Sequence, residues 1–129
     1  MRRSRPVYPG VPEAAPTRVD ALIVLGRRPQ ALRLLSSLPL ERSGRKLELM
    51  LLRAELMVER DCGRALTDFD AVLAASPAGP FLERALYGRA GCRLRLGQVT
   101  IGRADLQSYA ARFPEGRFIE QVRARLASP

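Results

Sequence analysis

Histidine and tryptophan are absent from this 129-residue chain, and its single lysine is Lys46. Without histidine the chain cannot build a Ser-His-Asp triad, a histidine general acid or base, or a zinc site that uses imidazole. Lys46 lies outside any P-loop motif and is the only candidate for Schiff-base chemistry. The composition therefore predicts a protein that is not an enzyme and that holds no metal or other cofactor.

Cysteine is also scarce, with Cys62 and Cys92 as the only two. They form no C-x-x-C motif, and two thiolates without histidine cannot complete a zinc site. Both cysteines fall within apolar patterns of helical spacing. We therefore expect them to be buried free thiols, with a disulfide between them as the alternative.

Long hydrophobic runs are missing, since no segment approaches the roughly 20 apolar residues of a membrane span. Residues 1–16 combine arginine and proline, whereas a secretory signal would continue with an apolar stretch. This composition predicts a disordered, Arg/Pro-rich arm. The chain as given is expected to be cytoplasmic, or periplasmic if it is a piece of a longer precursor.

Positive charge is abundant and unevenly distributed. The net charge is +9, and arginine supplies all but one of the cationic side chains. Residues 1–45 and 81–129 are basic, whereas residues 46–80 carry an acidic excess. Such alternation indicates complementarity between neighbouring layers of structure rather than one uniform basic face for nucleic acid.

Apolar residues recur at helical spacing from Thr17 onward. Thr17 is the expected cap of the first helix, Gly26 ends that helix, and Pro29 starts the second one. Glycine and proline residues separate the remaining helices, and no segment as long as a strand alternates between polar and apolar residues. The sequence thus predicts an all-α protein of seven helices, at about 17–25, 29–38, 45–60, 64–75, 81–96, 99–112 and 117–127.

The predicted helices form pairs that repeat about every 34 residues. Each second helix carries a small residue near its start and a large apolar residue one turn later. Antiparallel helices approach closely only where one side chain is tiny, and the larger residue then fills the remaining space. These small-to-large pairs are Ala31 with Leu35, Ala65 with Phe69, and Gly102 with Leu106.

This pattern resembles the tetratricopeptide repeat (TPR) family over about 17–127. The similarity is strongest in Ala65-Leu66-x-x-Phe69, in Ala85-Leu86-Tyr87 and in the ending Phe113-Pro114-Glu115-Gly116. These motifs look like a bacterial subtype with a lengthened loop between repeats, found in envelope-assembly proteins and in the tails of membrane-linked regulators. Ser43 replaces the terminal proline of the first repeat.

The resemblance implies an α-solenoid of antiparallel helix pairs, with repeats at about 17–44, 45–79 and 80–114 and a capping helix at 115–127. It also implies a non-catalytic protein–protein interaction module that binds a peptide or protein partner in a concave groove. The alternative function is nucleic-acid binding, RNA or DNA, through arginine-rich surfaces.

Candidate partner-binding residues lie on the third and fifth helices. In the family the groove positions would be Leu47, Met50, Ala54 and Met57, then Arg84, Tyr87, Gly91 and Leu94. Arg89 and Arg93 share one helix face because they are four residues apart, and they could clamp a partner's acidic segment. The predicted binding set is Met50, Met57, Arg84, Tyr87, Arg89, Arg93 and Leu94.

Each of these residues also has a structural interpretation. The methionines suit an ordinary core, and Arg89 and Arg93 suit ion pairs with Glu55, Glu59 or Asp61. Gly88 and Gly91 indicate either close packing against the fourth helix or a floor under a bound peptide. Asp68 and Asp70 are expected to be solvated surface residues.

Overall fold

The computed structural model describes residues 15–75 and 78–128, and within these ranges the secondary structure is entirely helical. The all-α prediction is confirmed for this part of the chain. A short 3-10 turn, Leu40–Arg42, links the second and third helices. The α-helices are α1 Ala15–Val24, α2 Arg28–Ser37, α3 Lys46–Met57, α4 Cys62–Ala75, α5 Leu82–Arg95, α6 Val99–Arg112 and α7 Ile119–Ala127.

The helix boundaries follow the glycine and proline signals closely. Gly26 and Gly97 have φ angles of 75° and 80°, the left-handed conformation that ends α1 and α5. Pro29 occupies the first turn of α2, where its missing N–H costs nothing. The prediction that Thr17 caps α1 is wrong, because α1 already includes Ala15. Most of the predicted arm, residues 1–14, lies outside the described residues, as does Pro77.

Each helix packs mainly against the helices before and after it, and α3 also contacts α5. The core accordingly divides into three successive clusters. The first joins α1, α2 and α3, the second joins α3, α4 and α5, and the third joins α5, α6 and α7. Because α3 and α5 each belong to two clusters, apolar packing runs continuously along the molecule. No described helix has the length and apolar character needed to cross a membrane.

The small residues lie at helix crossings, as their spacing predicts. Ala31 and Ala65 have no exposed surface. A Cβ at Gly102 would lie 2.9 Å from Cγ of Leu94, and one at Gly88 would lie 2.5 Å from Cε1 of Phe69. Glycine therefore sets the distance between α5 and α6 and also between α4 and α5. Of the two interpretations of Gly88, close packing against α4 is the one confirmed.

The two cysteines form a disulfide, so the expectation of free thiols is wrong. Cys62 is the first residue of α4, and Cys92 lies in the last turn of α5. Since these helices run antiparallel, the start of one faces the end of the other, and the two Cα atoms are 5.2 Å apart. This separation is within the range that a disulfide requires. The bond therefore joins the second hairpin to the third.

A buried Arg–Asp pair recurs in two successive hairpins. Arg53 of α3 donates hydrogen bonds of 2.7 and 2.8 Å to Asp68 of α4. Arg89 of α5 donates bonds of 3.0 and 2.9 Å to Asp105 of α6. Both aspartates lie three residues after a small crossing residue. The expectation that Asp68 is a solvated surface residue is wrong, because this pairing holds its carboxylate inside the hairpin.

Candidate functional site

A groove with a volume of about 700 Å³ runs across one face of the molecule. Most of its lining comes from the odd-numbered helices α3, α5 and α7. Gly91 forms part of the floor, and a Cβ placed on it would meet no atom within 4 Å. The space above α5 is thus open, which agrees with the interpretation of Gly91 as a floor under a bound chain.

A second depression of about 330 Å³ extends this groove towards α1 and α2. It is lined by Ile23 of α1 and Arg28 of α2 together with residues of α3. The two cavities share Glu55, Arg84 and Phe118. They therefore form one continuous surface that all four odd-numbered helices border.

Aromatic rings form the wall between α5 and α7. The rings of Tyr87 and Phe118 stack with centroids 4.2 Å apart and planes within 3° of parallel. The guanidinium of Arg117 lies over the Phe118 ring, 5.4 Å from its centroid. Stacked rings offer a large rigid surface at small cost in side-chain entropy. The two rings therefore form an apolar wall of the groove.

The polar groups of the groove are predominantly cationic. Arg84 spans the boundary between the two cavities and donates hydrogen bonds to Glu55 of α3, one of them 3.1 Å long. This bond raises the pKa of Arg84 despite its partial burial. Glu59 is the other acidic residue of the lining. Against these two carboxylates stand five arginines: Arg28, Arg84, Arg95, Arg117 and Arg125.

Three predicted binding residues, Arg84, Tyr87 and Leu94, come together in the groove. Met50 and Met57 do not line it; both pack between the first and second core clusters. Helix α3 contributes Leu52, Glu55 and Leu56 to the lining, and Val58 and Glu59 line it just past the end of the helix. Glu55 and Val58 each lie one position after a residue of the family register. Helix α3 packs against two core clusters at once, and this packing turns Met50, Met57 and Ala54 towards the neighbouring helices.

Arg89 and Arg93 also lie outside the groove lining. Asp105 accepts hydrogen bonds from both guanidinium groups, and Arg89 additionally contacts Asp70 of α4 at 3.2 Å. The expected ion-pair partners Glu55, Glu59 and Asp61 are therefore not the ones used. Burial acts to lower the pKa of Arg89, but the hydrogen bonds to the two aspartates outweigh it, so the pKa is raised. These arginines join three helices rather than line the groove.

Glu83 positions the aromatic wall, a role that the sequence analysis does not predict. Glu83 of α5 accepts hydrogen bonds from the Tyr109 hydroxyl and, at 2.7 Å, from the backbone N–H of Arg117. The Tyr109 oxygen in turn accepts the N–H of Phe118 at 2.8 Å. Gly116 is required beside this network, because a Cβ there would lie 2.6 Å from the Tyr109 oxygen. The network fixes the start of α7 and hence the Phe118 ring.

Replacing Tyr109 by phenylalanine is expected to destabilise the fold by about 1–2 kcal/mol at neutral pH, because two buried hydrogen bonds are lost. Burial, reinforced by the bond to Glu83, raises the Tyr109 pKa to about 12. An unfolded tyrosine ionises near pH 10, so this stabilisation is complete below about pH 10 and declines towards pH 12. The free energies of unfolding of the native protein and of Tyr109→Phe, measured with denaturant at several pH values, should therefore converge as the pH rises from about 10 to about 12.

Tyr87→Phe is the matched control for the Tyr109 substitution. The Tyr87 hydroxyl has no hydrogen-bond partner among residues 15–75 and 78–128. We therefore expect Tyr87→Phe to leave the free energy of unfolding nearly unchanged. Equal stability of the two variants at neutral pH would contradict the role given to the Tyr109 network.

Comparison with models of protein families, with curated proteins and with solved structures finds no match for this chain.

Proposed function

We propose that the chain is a TPR-like α-solenoid that binds an acidic peptide segment of a protein partner in its groove. Three observations support the solenoid architecture: the successive core clusters, the small residue at the crossing within each hairpin, and the Arg–Asp pair that recurs in two hairpins. In such arrays each hairpin covers the apolar face of the next. Consecutive hairpins therefore present equivalent helices on one side.

The continuous groove along the odd-numbered helices is the observation that carries the binding function. Its combined volume is sufficient for several residues of a peptide rather than a small molecule alone, and its openness at Gly91 gives a backbone direct access. Apolar lining with a few placed polar groups is the usual character of a recognition site. A peptide bound there would insert an apolar side chain beside Tyr87 and Phe118.

The charge balance of the lining defines the chemistry of the partner. Five arginines and two glutamates surround the groove, so an acidic segment would be attracted and a basic one repelled. Arg84 lies where the two cavities meet, and its side chain is only 30% exposed, so a charged contact there would be partly shielded from water. A carboxylate of the peptide would share Arg84 with Glu55, since the planar guanidinium offers donors to more than one acceptor.

Gly91→Leu is the most direct test of the groove. The new side chain would project into open space, and leucine favours a helix over glycine by nearly 1 kcal/mol. The variant is therefore expected to be at least as stable as the native chain. Peptides selected from a displayed random library on the native protein should be enriched in Asp, Glu and large apolar residues. Their affinity for Gly91→Leu should fall at least about tenfold.

Arg84→Gln tests whether the positive charge of the groove contributes to peptide affinity. The matched control is Arg123→Gln, which removes one charge from the exposed outer side of α7. Affinity for the selected acidic peptides is expected to fall several-fold in the first variant and to stay unchanged in the second. Peptides that bind Gly91→Leu as tightly as the native chain would overturn the proposed function.

The disulfide bears on where such a module would work. Disulfides persist mainly in oxidising compartments such as the bacterial periplasm. The Cys62–Cys92 bond therefore supports an extracytoplasmic setting over the cytoplasmic one that the sequence alone suggests.

A further inference from the structure

The exposed large hydrophobic side chains of the molecule are not scattered over its surface. Residues 15–75 and 78–128 contain five of them, between 45% and 86% exposed, and all five lie at two of the turns between paired helices. Val24 and Leu25 lie at the turn from α1 to α2, and the turn from α5 to α6 has the other three: Leu96, Val99 and Ile101. Clusters of exposed apolar residues mark sites of interaction with proteins or membranes.

The two turns are built in the same way. In each, a leucine precedes a glycine with a positive φ angle, Gly26 in the first turn and Gly97 in the second. The glycine N–H bonds to the carbonyl three residues back, and the next N–H bonds to the carbonyl five residues back, at 2.8 to 3.1 Å. This pair of bonds is a regular way of ending a helix and fixes the backbone. Ordered backbone therefore holds Leu25 and Leu96 out towards solvent.

Both turns lie at the same edge of the molecule. Consecutive helices run antiparallel, so the odd-numbered helices end, and the even-numbered helices begin, at this edge. Two contacts of α5 and α6 agree with this arrangement. The Arg95 guanidinium donates to the Val58 carbonyl beyond the end of α3 at 3.0 Å, and Arg103 donates to the Leu126 carbonyl near the end of α7 at 2.8 Å. We refer to this surface as the turn edge, made of residues 24–28, 58–62 and 95–101.

The charge beside the two apolar turns is entirely positive, because residues 21–30 and 91–103 contain no acidic residue. Arg27 and Arg28 are exposed next to the first turn. Arg95 and Arg103 flank the second turn, and the backbone carbonyls that they contact do not neutralise their charge. The middle turn, between α3 and α4, is balanced, with two acidic and two basic residues: Glu59, Arg60, Asp61 and Arg64.

We propose that the turn edge docks on a membrane surface that contains anionic lipids. The apolar residues of its two outer turns would insert among the lipid head groups, and the neighbouring arginines would contact lipid phosphates. Apolar side chains bordered by cations are typical of segments that lie at an anionic bilayer interface. This function goes beyond peptide binding in the groove and does not depend on it.

The arrangement of the turn edge favours a bilayer over a protein partner. The five apolar side chains project from points where the chain reverses, and none of them lines the groove or the depression that extends it. They occupy two separate places on one edge, with the polar middle turn between them. A fluid, flat surface can accept two such projections at once, whereas a protein would need a matching cavity for each.

The lack of tryptophan in the chain allows a direct measurement of insertion. In Leu25→Trp the only indole lies at the turn edge, and in the control Ala74→Trp it lies exposed near the end of α4, at the opposite edge. The probe is a vesicle made of equal parts of phosphatidylcholine and phosphatidylglycerol. The fluorescence of Leu25→Trp is expected to shift to the blue and to be quenched by brominated lipid. Ala74→Trp should keep its spectrum.

Co-sedimentation with the same vesicles measures the affinity of variants without tryptophan. The triple substitution Val24→Ser, Leu25→Ser, Val99→Ser should lower the partition coefficient at least about tenfold. Val24→Leu combined with Val99→Leu keeps the surface apolar and should retain binding. Arg27→Gln should lower the partition coefficient about fivefold at low salt. Its matched control, Lys46→Gln, removes one exposed charge at the opposite edge and should bind like the native chain.

Three outcomes would overturn the proposal. The first is equal partitioning of the native protein and the triple serine variant. The second is equally tight binding to vesicles of phosphatidylcholine alone. The third is a dimer that the triple serine variant abolishes in sedimentation velocity, which would assign the turn edge to a second copy of the chain. Residues 1–14 are the same in every variant, so they cannot cause a difference between variants. Because Gly91→Leu should bind vesicles normally, failure here is distinguishable from failure of the peptide groove.

Discussion

Replacing Cys62 and Cys92 together by alanine is expected to lower the free energy of unfolding by about 3–4 kcal/mol, because the bond closes a loop of roughly 30 residues in the unfolded chain. The bond connects α4 to α5, so its loss removes the covalent link between the second hairpin and the third. A domain of this size has a total stability of only about 5–15 kcal/mol. Urea unfolding followed by circular dichroism would measure the change.

The reduced native protein is the control for this substitution. If the covalent link is responsible, reduction and double substitution should give similar urea midpoints, and adding reductant to the double variant should have no further effect. A native midpoint that is insensitive to reductant would contradict the assignment of the disulfide.

Asp105→Asn is expected to destabilise the fold by about 3 kcal/mol, since removing one partner of a buried pair leaves uncompensated charge. The Asp105 side chain is only 7% exposed, and it accepts hydrogen bonds from both Arg89 and Arg93. An amide would retain the shape but only one acceptor oxygen, and it would leave Arg93 without a counter-charge and Arg89 with only the exposed Asp70. Thermal and urea unfolding of the variant would measure the loss.

Asp70→Asn is the matched control, because Asp70 contacts the same Arg89 but its side chain is 55% exposed. Exposed ion pairs contribute at most about 1 kcal/mol, so this variant should unfold close to the native midpoint. Equal losses at the two positions would show that burial does not govern the energetics of this cluster.

The helices were predictable because their signals are local. Glycine at positions 26 and 97, proline at position 29 and apolar spacing define where chain segments begin, end and turn inwards. The small residues at crossings were predictable for a related reason. Packing within a hairpin requires a large apolar residue four positions after the small one, as in Ala65 and Phe69 or Gly102 and Leu106. These rules operate within one hairpin.

Features that depend on how hairpins meet were not predictable in the same way. The rotation of α3 about its axis follows from simultaneous contact with α2, α4 and α5, and a shift of one position places Glu55 rather than Ala54 in the groove. The Arg89 partners were missed because the acidic excess of residues 46–80 pointed to Glu55, Glu59 and Asp61 of the preceding layer, whereas Asp105 lies in the same hairpin as Arg89. The shared position of Asp68 and Asp105, three residues after Ala65 and Gly102, was the signal that could have revealed them.

The second and third hairpins each contain their own Arg–Asp ion pair between their two helices. Arg53 and Arg89 are 36 residues apart, and each reaches an aspartate within its own unit. A copy of such a segment would include its own buried ion pair, although Arg89 also contacts Asp70 of the preceding hairpin. Duplicating one of these hairpins would therefore add a unit whose buried carboxylate is already paired.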